Sequence, residues 1–367
     1  MHDRKKDLKK TEGDRHMPQT ISEKFSRKVS IVSFISAIFV MYIHAKNLVF
    51  YNFGDISGTP LYYLNQIFSE ILGRIAVPFF FIMSGYWMFR FDIRQNAKSV
   101  MTRKLKKKLY TLVIPYLIWN TLGFIFFFTI THIPFLSATV NGGETVHLTF
   151  ENVFKGVFLH KYYYSFWFMQ DLIVITAISP LILLLLRNRR LSCGAAVGLF
   201  SLCLFGIKLY VCQTTSLLLF LIGGIFAVYH RDFWEQPNRS KYETAVWCLL
   251  FVICSAVRWL NLPYIYTITL IASPIVFWKA LDFLNAFKVY DREPHWFCRQ
   301  SFFIYAAHII PVDAVNGILS RINSTMAWAS VTYMLNPLIV LFLIYIAARV
   351  MNKICPKIYR VLCGNRS

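Results

Sequence analysis

Acidic residues are scarce in this chain, which has 18 Asp and Glu against 39 Lys and Arg. Charged residues of both signs make up only 16% of the sequence, whereas apolar residues make up 56%. A soluble domain normally carries about 25% charged residues, and it does not contain many long apolar runs. The composition therefore argues against an ordinary soluble domain of 367 residues.

Cysteine motifs are also missing. The eight cysteines form no CxxC pair and show no zinc-ligand spacing, and none lies in the long loop expected at 132–165. Most of them are expected to act as small apolar residues of helices. We therefore expect no structural disulfide, no metal site and no bound cofactor.

Several other signals are absent. Ser84–Gly85 lies in an apolar run without a GxSxG context, so it predicts close helix packing rather than a serine nucleophile. The first apolar run is not followed by a small-residue cleavage site, which makes a cleaved signal peptide a poor fit. We find no internal repeat and no appended soluble domain, so the function should reside in the apolar part of the chain and its loops.

Apolar runs dominate what is present. A membrane-spanning helix needs about 20 such residues, and the sequence predicts an all-α, polytopic membrane helix bundle of about ten transmembrane helices. The predicted spans are 29–49, 67–88, 110–131, 166–186, 192–209, 214–229, 243–259, 264–284, 301–319 and 331–350. This divides the chain into a basic N-terminal tail (1–28), a transmembrane domain (29–350) and a basic C-terminal tail (351–367).

The positive charge is distributed unevenly between the two sides of this bundle. If the N-terminus is cytosolic, 31 of the 39 Lys and Arg fall in cytosolic segments, three in outer loops and five within spans. This positive-inside pattern predicts that both termini are cytosolic. It also explains the net charge of +21 through contact with membrane lipids, so no nucleic-acid partner is expected. The expected location is the cell membrane (plasma or inner), crossed several times.

Arg74 is the most informative residue. It lies within an apolar predicted span, where an arginine costs about 2.5–3.5 kcal/mol at the helix centre. Pro78, four residues later, cannot donate to the Arg74 carbonyl, which predicts a kink. Arginines at membrane depth usually mark a site. The alternative is an arginine that pairs with a helix-end carbonyl or a lipid headgroup.

His44 is predicted to lie near the outer end of the first span, at a depth similar to that of Arg74. A neutral histidine can accept a proton from a hydroxyl, and an arginine can stabilise an oxyanion. The pair would therefore suit acyl transfer to an alcohol. The alternative for His44 is a histidine that is simply hydrogen-bonded in the bundle or at the lipid headgroups.

Two further titratable residues lie in predicted spans. Asp171 could orient His44 or pair with Arg74, or it could be a half-exposed carboxylate favoured by the start of a helix. His308 could line a tunnel for an acyl donor, or it could be a packed histidine.

Two segments next to the spans have alternative interpretations. The basic link at 103–108, with Arg103 and Lys104, fits either anionic lipid or the phosphates of an acyl-CoA donor. The aromatic stretch at 158–168 fits an interfacial belt, or part of a rim that faces a sugar or a headgroup.

Taken together, these residues resemble the membrane acyltransferase 3 family over about 29–350. The strongest string runs from Arg74 to Tyr86: an arginine, Val-Pro, a phenylalanine pair and Ser-Gly-Tyr. Further support comes from His44, the basic run before Pro115–Tyr116, Trp167–Phe168, and Ile304–Tyr305 followed by His308.

The resemblance implies an integral-membrane O-acyltransferase that moves an acyl group, often acetyl, from cytosolic acyl-CoA to a hydroxyl. The acceptors implied are extracytoplasmic: a cell-surface polysaccharide, a lipid-linked sugar or a secreted metabolite. It makes His44 and Arg74 the candidate catalytic residues. The candidate substrate-binding residues are Asp171, Trp167, His308 and Tyr305, and the candidate donor phosphate-binding residues are Arg103 and Lys104.

The chain departs from the family pattern at Ser33, where an arginine often stands about eleven residues before the histidine. Donor contacts would then come from elsewhere, such as Arg103 or Lys104. Two alternatives to an active enzyme are considered. Ten helices with buried charge would also suit a carrier that moves an acyl group or a small solute without catalysis, and the missing arginine would fit a family member that only binds.

Overall fold

The structure is a computed structural model that describes residues 22–46, 48–51, 53–133, 144–260 and 262–365, without the side chains of Val49 and Pro263. Within these ranges all regular secondary structure is helical and no strand occurs. The predicted all-α membrane bundle is therefore confirmed.

The helices of the first half, through the long outer loop, are α1 (Glu23–His44), α2 (Leu48–Tyr51), α3 (Pro60–Asn65), α4 (Arg74–Phe89), α5 (Ala97–Lys108), α6 (Ile114–Thr131) and α7 (Phe150–Phe158). Two π-helical segments, Gln66–Gly73 and Leu109–Val113, join α3 to α4 and α5 to α6.

The helices of the second half are α8 (Trp167–Ala177), α9 (Ser179–Leu186), α10 (Arg189–Leu204), α11 (Thr214–Tyr229), α12 (Arg231–Glu235), α13 (Lys241–Trp259), α14 (Pro263–Ala280), α15 (Ser301–Ala307), α16 (Ile309–Ile322), α17 (Met326–Ile354) and α18 (Pro356–Leu362). Short 3₁₀ turns occur at Tyr164–Phe166, Leu281–Phe287, Val289–Asp291 and Trp296–Gln300.

Six helical segments in the described part of the chain are long and apolar enough to cross a membrane, and two bent helix pairs raise this number to as many as eight. The predicted fifth and sixth spans correspond to α10 and α11, which have only 16 residues each. At 1.5 Å per residue each would extend about 24 Å, which is less than the hydrocarbon core. The number of ten spans and the cytosolic position of both termini stay predictions.

Helix α1 is shifted toward the N-terminus relative to the predicted span of 29–49. It begins at Glu23 because the Ser22 side chain accepts a hydrogen bond from the Phe25 amide at 3.2 Å and caps the helix. It ends at His44, about five residues earlier than expected. The histidine is therefore at a helix end rather than inside the helix.

Helices α4 and α11 form the closest helix pair of the core. A Cβ added to Gly85 would lie 2.0 Å from the Phe220 carbonyl oxygen, and one added to Gly223 would lie 2.0 Å from the Ile82 carbonyl oxygen. Only glycine fits at these two positions. The close packing predicted from Ser84–Gly85 is confirmed.

Two predicted spans are broken. The fourth bends by 59° between α8 and α9, and the ninth bends by 71° between α15 and α16, at His308. Pro180 is in the first turn of α9, and Pro311 is in the first turn of α16. Proline fits there because those amides have no partner within the helix. No such break occurs at Pro78, where the sequence predicts a kink, since Pro60–Phe89 is one continuous helical segment. The irregular backbone lies before Arg74 instead, in the π-helical segment Gln66–Gly73.

Candidate active site

The ends of two helices bring His44 and Arg74 together. A Cβ at Gly73 would lie only 2.6 Å from Cγ1 of Ile43, so the end of α1 can approach the π-helical segment closely only because residue 73 is glycine. His44 is the residue after Ile43, and Arg74 is the residue after Gly73. The two residues are therefore neighbours at this contact, and the charge of Arg74 acts on the His44 ring.

His308 is the second histidine of the site. It lies at the break between α15 and α16, is fully buried, and its ring centroid is 5.1 Å from that of His44. Its Nδ1 is 2.6 Å from the Tyr305 carbonyl oxygen. Because a carbonyl only accepts hydrogen bonds, Nδ1 carries the proton and Nε2 of the neutral ring is an acceptor. Nε2 has no hydrogen-bond partner among the described residues.

An aromatic wall closes the other side of His44. The ring of Tyr164 lies 5.4 Å from the His44 ring in an edge-on arrangement. The two chain neighbours of Tyr164 are tied to α15. The Tyr163 hydroxyl donates to the Ala306 carbonyl, and the Ser165 carbonyl accepts from the Tyr305 hydroxyl, both at 2.6 Å. Tyr163 and Ser165 are buried, so this part of the 158–168 segment packs into the bundle and does not form the predicted interfacial belt.

Arg74 is bound by a carboxylate rather than by a helix-end carbonyl. Its Nε donates to Glu70 Oε2 at 3.1 Å, and 39% of its side-chain surface stays accessible. Glu70 also binds the ammonium group of Lys46. Arg74 was singled out from the sequence, but its partner Glu70 was missed. The i, i+4 spacing of these two opposite charges could have indicated the pair.

Asp171 and Trp167 lie at a different cavity, which has a volume of about 550 Å³. The Asp171 carboxylate accepts hydrogen bonds from the Ser216 hydroxyl at 2.7 Å and the Gln213 amide at 3.2 Å. Within the described ranges no hydrogen bond joins Asp171 to His44 or Arg74. Asp171 is buried, so it is not the half-exposed helix-start carboxylate considered above.

Arg103 and Lys104 are separated by the structure, although they are neighbours in sequence. Arg103 lines an open basic cleft of about 870 Å³ on the predicted cytosolic side. The other cations that line it are Arg94, Lys98, Lys106 and Arg187. Lys104 instead donates to the carbonyl oxygens of Trp87 and Met88, at 2.7 and 2.9 Å, at the end of α4. Of these two neighbours, Arg103 is therefore the one positioned to contact a ligand in this cleft.

This arrangement supplies a histidine pair next to a guanidinium group. In the part of the chain that the structure describes, no cluster of three or more His, Cys, Asp or Glu side chains could hold a metal ion. The groups present can move a proton and stabilise a negatively charged oxygen, which are the two requirements of acyl transfer to a hydroxyl.

Comparison with known proteins agrees with this chemistry. Residues 31–350 match the family model described as "Acyltransferase domain" of the acyltransferase 3 family. The chain is also 22% identical over 320 residues to the succinoglycan biosynthesis protein ExoH of Rhizobium meliloti (strain 1021), which covers 83% of each protein. No solved structure matches.

The chain belongs to the acyltransferase 3 family, since the family model covers most of its length. It is a multi-pass membrane O-acyltransferase. The predicted family and enzyme class are confirmed.

Proposed function

We propose that this acyltransferase moves an acyl group, by default acetyl, from cytosolic acyl-CoA to a hydroxyl group of an extracytoplasmic glycan or lipid-linked sugar. The observation that carries the proposal is the proximity of His44 at the end of α1, Arg74 at the start of α4 and His308 at the break between α15 and α16. A glycan acceptor is also supported by the similarity to a protein of succinoglycan biosynthesis. The proposed location is the plasma or inner membrane.

His44 is the proposed general base. Its imidazole takes the proton of the acceptor hydroxyl while the hydroxyl oxygen attacks the thioester carbonyl carbon. Arg74 stabilises the oxyanion of the tetrahedral intermediate. When the carbon–sulfur bond breaks, the imidazolium returns the proton to the leaving sulfur, so the products are an ester and a free thiol.

His308 supports this step through its free nitrogen. A buried acceptor without a partner is costly, and a catalytic role is one of the reasons for which folded proteins keep such a group. The His44 ring is 5.1 Å away between centroids, so His44 or the acceptor hydroxyl is the proposed donor of a hydrogen bond to this nitrogen. Tyr305 holds the His308 ring through its carbonyl oxygen, so it is a positioning residue.

The basic cleft around Arg103 is the proposed binding site for the phosphates of the donor. Four further cations line it, and it is open on the predicted cytosolic side, where acyl-CoA is available. An arginine binds phosphate through two parallel hydrogen bonds, so Arg103 can supply contacts that Ser33 cannot.

The direct test measures thiol release from acyl-CoA by the purified protein in lipid nanodiscs, with and without a cell-envelope glycan extract. We expect glycan-dependent release in the wild type and a decrease of about a hundredfold or more in His44→Ala, because general base catalysis is typically worth 10²–10⁴ in rate.

His147→Ala is the matched control, since His147 is exposed on the outer loop, and it should release thiol at the wild-type rate. Full activity in a folded His44→Ala protein would refute the assignment of the base. Absence of release from folded wild-type protein, across several acyl-CoAs and extracts, would favour a carrier or a binding role instead.

A further inference from the structure

A small pocket opens next to the candidate active site, on the predicted outer side. It has a volume of about 350 Å³ and lies between the end of α1, the π-helical segment and the ends of α13 and α14. Lys46, two residues after His44, lines it, as does Glu70, the partner of Arg74. Its size is at the lower end of the range for ligand sites.

Arg258 forms the inner wall of this pocket. Only 6% of its surface is exposed, although a lysine or arginine near the end of a span would normally reach toward the interface. Its Nε donates to the Glu70 carbonyl oxygen at 2.6 Å, and the guanidinium lies 4.5 Å from the Tyr266 ring centroid. Its Nη2 is buried and has no hydrogen-bond partner among the described residues.

Asn65 is the second polar group of the pocket without a partner. It is 6% exposed, and neither the nitrogen nor the oxygen of its amide makes a hydrogen bond within the described ranges. Leaving such groups buried and unpaired is unfavourable, because each loses the hydrogen bonds that it would make with water. The Nε and Nη1 atoms of Arg258 are hydrogen-bonded, to the Glu70 carbonyl and the Thr269 hydroxyl. Its Nη2 and the Asn65 amide, both without a partner at the same cavity, point to a polar ligand.

The charges around the pocket select the kind of ligand. Lys46, Arg74 and Arg258 contribute three positive charges, and Glu70 and Asp55 contribute two negative ones. Hydrogen bonds from the side chain and the backbone amide of Ser57 lower the pKa of Asp55, so its carboxyl group is ionised at neutral pH. One net positive charge matches a monoanion better than a phosphate dianion.

The remaining lining groups suit a sugar. Tyr62 and Tyr266 supply aromatic surface, and the Asn65 amide offers both a donor and an acceptor for hydroxyl groups. We propose that this pocket binds a carboxylate-bearing sugar unit of the acceptor, with the carboxylate on Arg258. That this sugar is the acceptor rests on the proposed acyl transfer, whereas the binding itself does not.

The test compares two probes that differ only at one carbon, methyl β-D-glucuronide and methyl β-D-glucoside, by calorimetric titration of the full chain in nanodiscs without donor. We expect the glucuronide to bind at least about tenfold more tightly, because a hydrogen bond to a charged group contributes about 1.5–3 kcal/mol. In Arg258→Gln this preference should fall to about twofold or less. Arg321→Gln, which removes an exposed arginine, should keep the preference.

Equal affinity of the wild type for the two probes would overturn the proposal, and so would an unchanged preference in Arg258→Gln. Tighter binding of methyl glucoside 6-phosphate than of the glucuronide would overturn the carboxylate assignment. If Arg258→Gln does not fold, Asn65→Asp provides the test, because it adds a negative charge to the pocket with little change of shape. It should abolish the preference for the glucuronide, and a retained preference would count against the site.

These outcomes are separable from those of the proposed function. A carboxylate preference in a protein that releases no thiol would leave the pocket valid and the acyl transfer refuted. Thiol release without a carboxylate preference would support the acyl transfer and refute the proposed role of the pocket.

Discussion

At the scale of single residues, Glu70 connects the candidate active site around Arg74 with the neighbouring pocket around Arg258. Its carboxylate binds both Lys46 and Arg74, and its backbone carbonyl accepts from Arg258. Holding three cations this close together without a counter-charge would be unfavourable, so one carboxylate that binds two of them lowers the repulsion. The presence of Arg74 in an apolar run is explained by this neighbour one helical turn earlier.

The neighbours Arg103 and Lys104 allow a residue-scale prediction about the donor. We expect Arg103→Ala to raise KM for acyl-CoA about fivefold or more, because Arg103 lines the basic cleft, while kcat and thermal stability change little. Lys104→Ala should instead lower the thermal unfolding temperature, because it removes two hydrogen bonds from the last carbonyls of α4.

Steady-state kinetics and thermal unfolding of both variants test whether Arg103 binds the donor and Lys104 stabilises the fold. If Lys104→Ala raised KM and Arg103→Ala did not, the donor would not lie in the cleft.

Broken helices are the main feature at the scale of elements. Hydropathy treats 166–186 and 301–319 as continuous spans, because the residues on both sides of each break are apolar. Irregular backbone at membrane depth is tolerated only where protein or a cavity surrounds it. The break at His308 satisfies this condition, since the aromatic wall and His44 pack against it.

Glycines in two different helices give an element-scale prediction. Gly85→Ala should lower the thermal unfolding temperature strongly, because its Cβ would lie 2.0 Å from a backbone carbonyl oxygen of α11, and overpacking costs about 1–3 kcal/mol or more. Gly194→Ala in α10 is the control, because a Cβ there meets nothing within 4 Å. It should be neutral or stabilise by about 0.5–1 kcal/mol.

The measurement is thermal unfolding of both variants in the same detergent. Equal unfolding temperatures would show that α4 and α11 do not pack as closely as described.

Orientation in the membrane belongs to the scale of the whole molecule. The positive-inside distribution predicts that 132–165 is outside and that the C-terminus is cytosolic. In a variant whose native cysteines are replaced, we expect an impermeant maleimide to label Lys155→Cys on intact cells and to label Lys357→Cys only after permeabilisation.

Both lysines are exposed, so access depends on the side of the membrane. The opposite labelling pattern would reverse the topology, and labelling of both residues on intact cells would place the C-terminus outside.

Much of this protein could be predicted from composition and pattern. Long apolar runs and scarce charge determine an all-α membrane bundle, because a backbone in lipid has to satisfy its own hydrogen bonds. The string from Arg74 to Tyr86, together with His44, indicated the family. The adjacent Ser84 and Gly85 indicated close helix packing. These signals are local, so they can be read along the chain.

Other features were decided only by the tertiary structure. The end of α1 at His44 and the approach of Ile43 to Gly73 depend on contacts between segments that are distant in sequence. The partners of Asp171, the inward position of Lys104 and the unpaired nitrogen of Arg258 depend on which helix faces which. Periodicity shows that a side chain is in a membrane helix, but only packing determines its neighbours, and the neighbours set its chemistry.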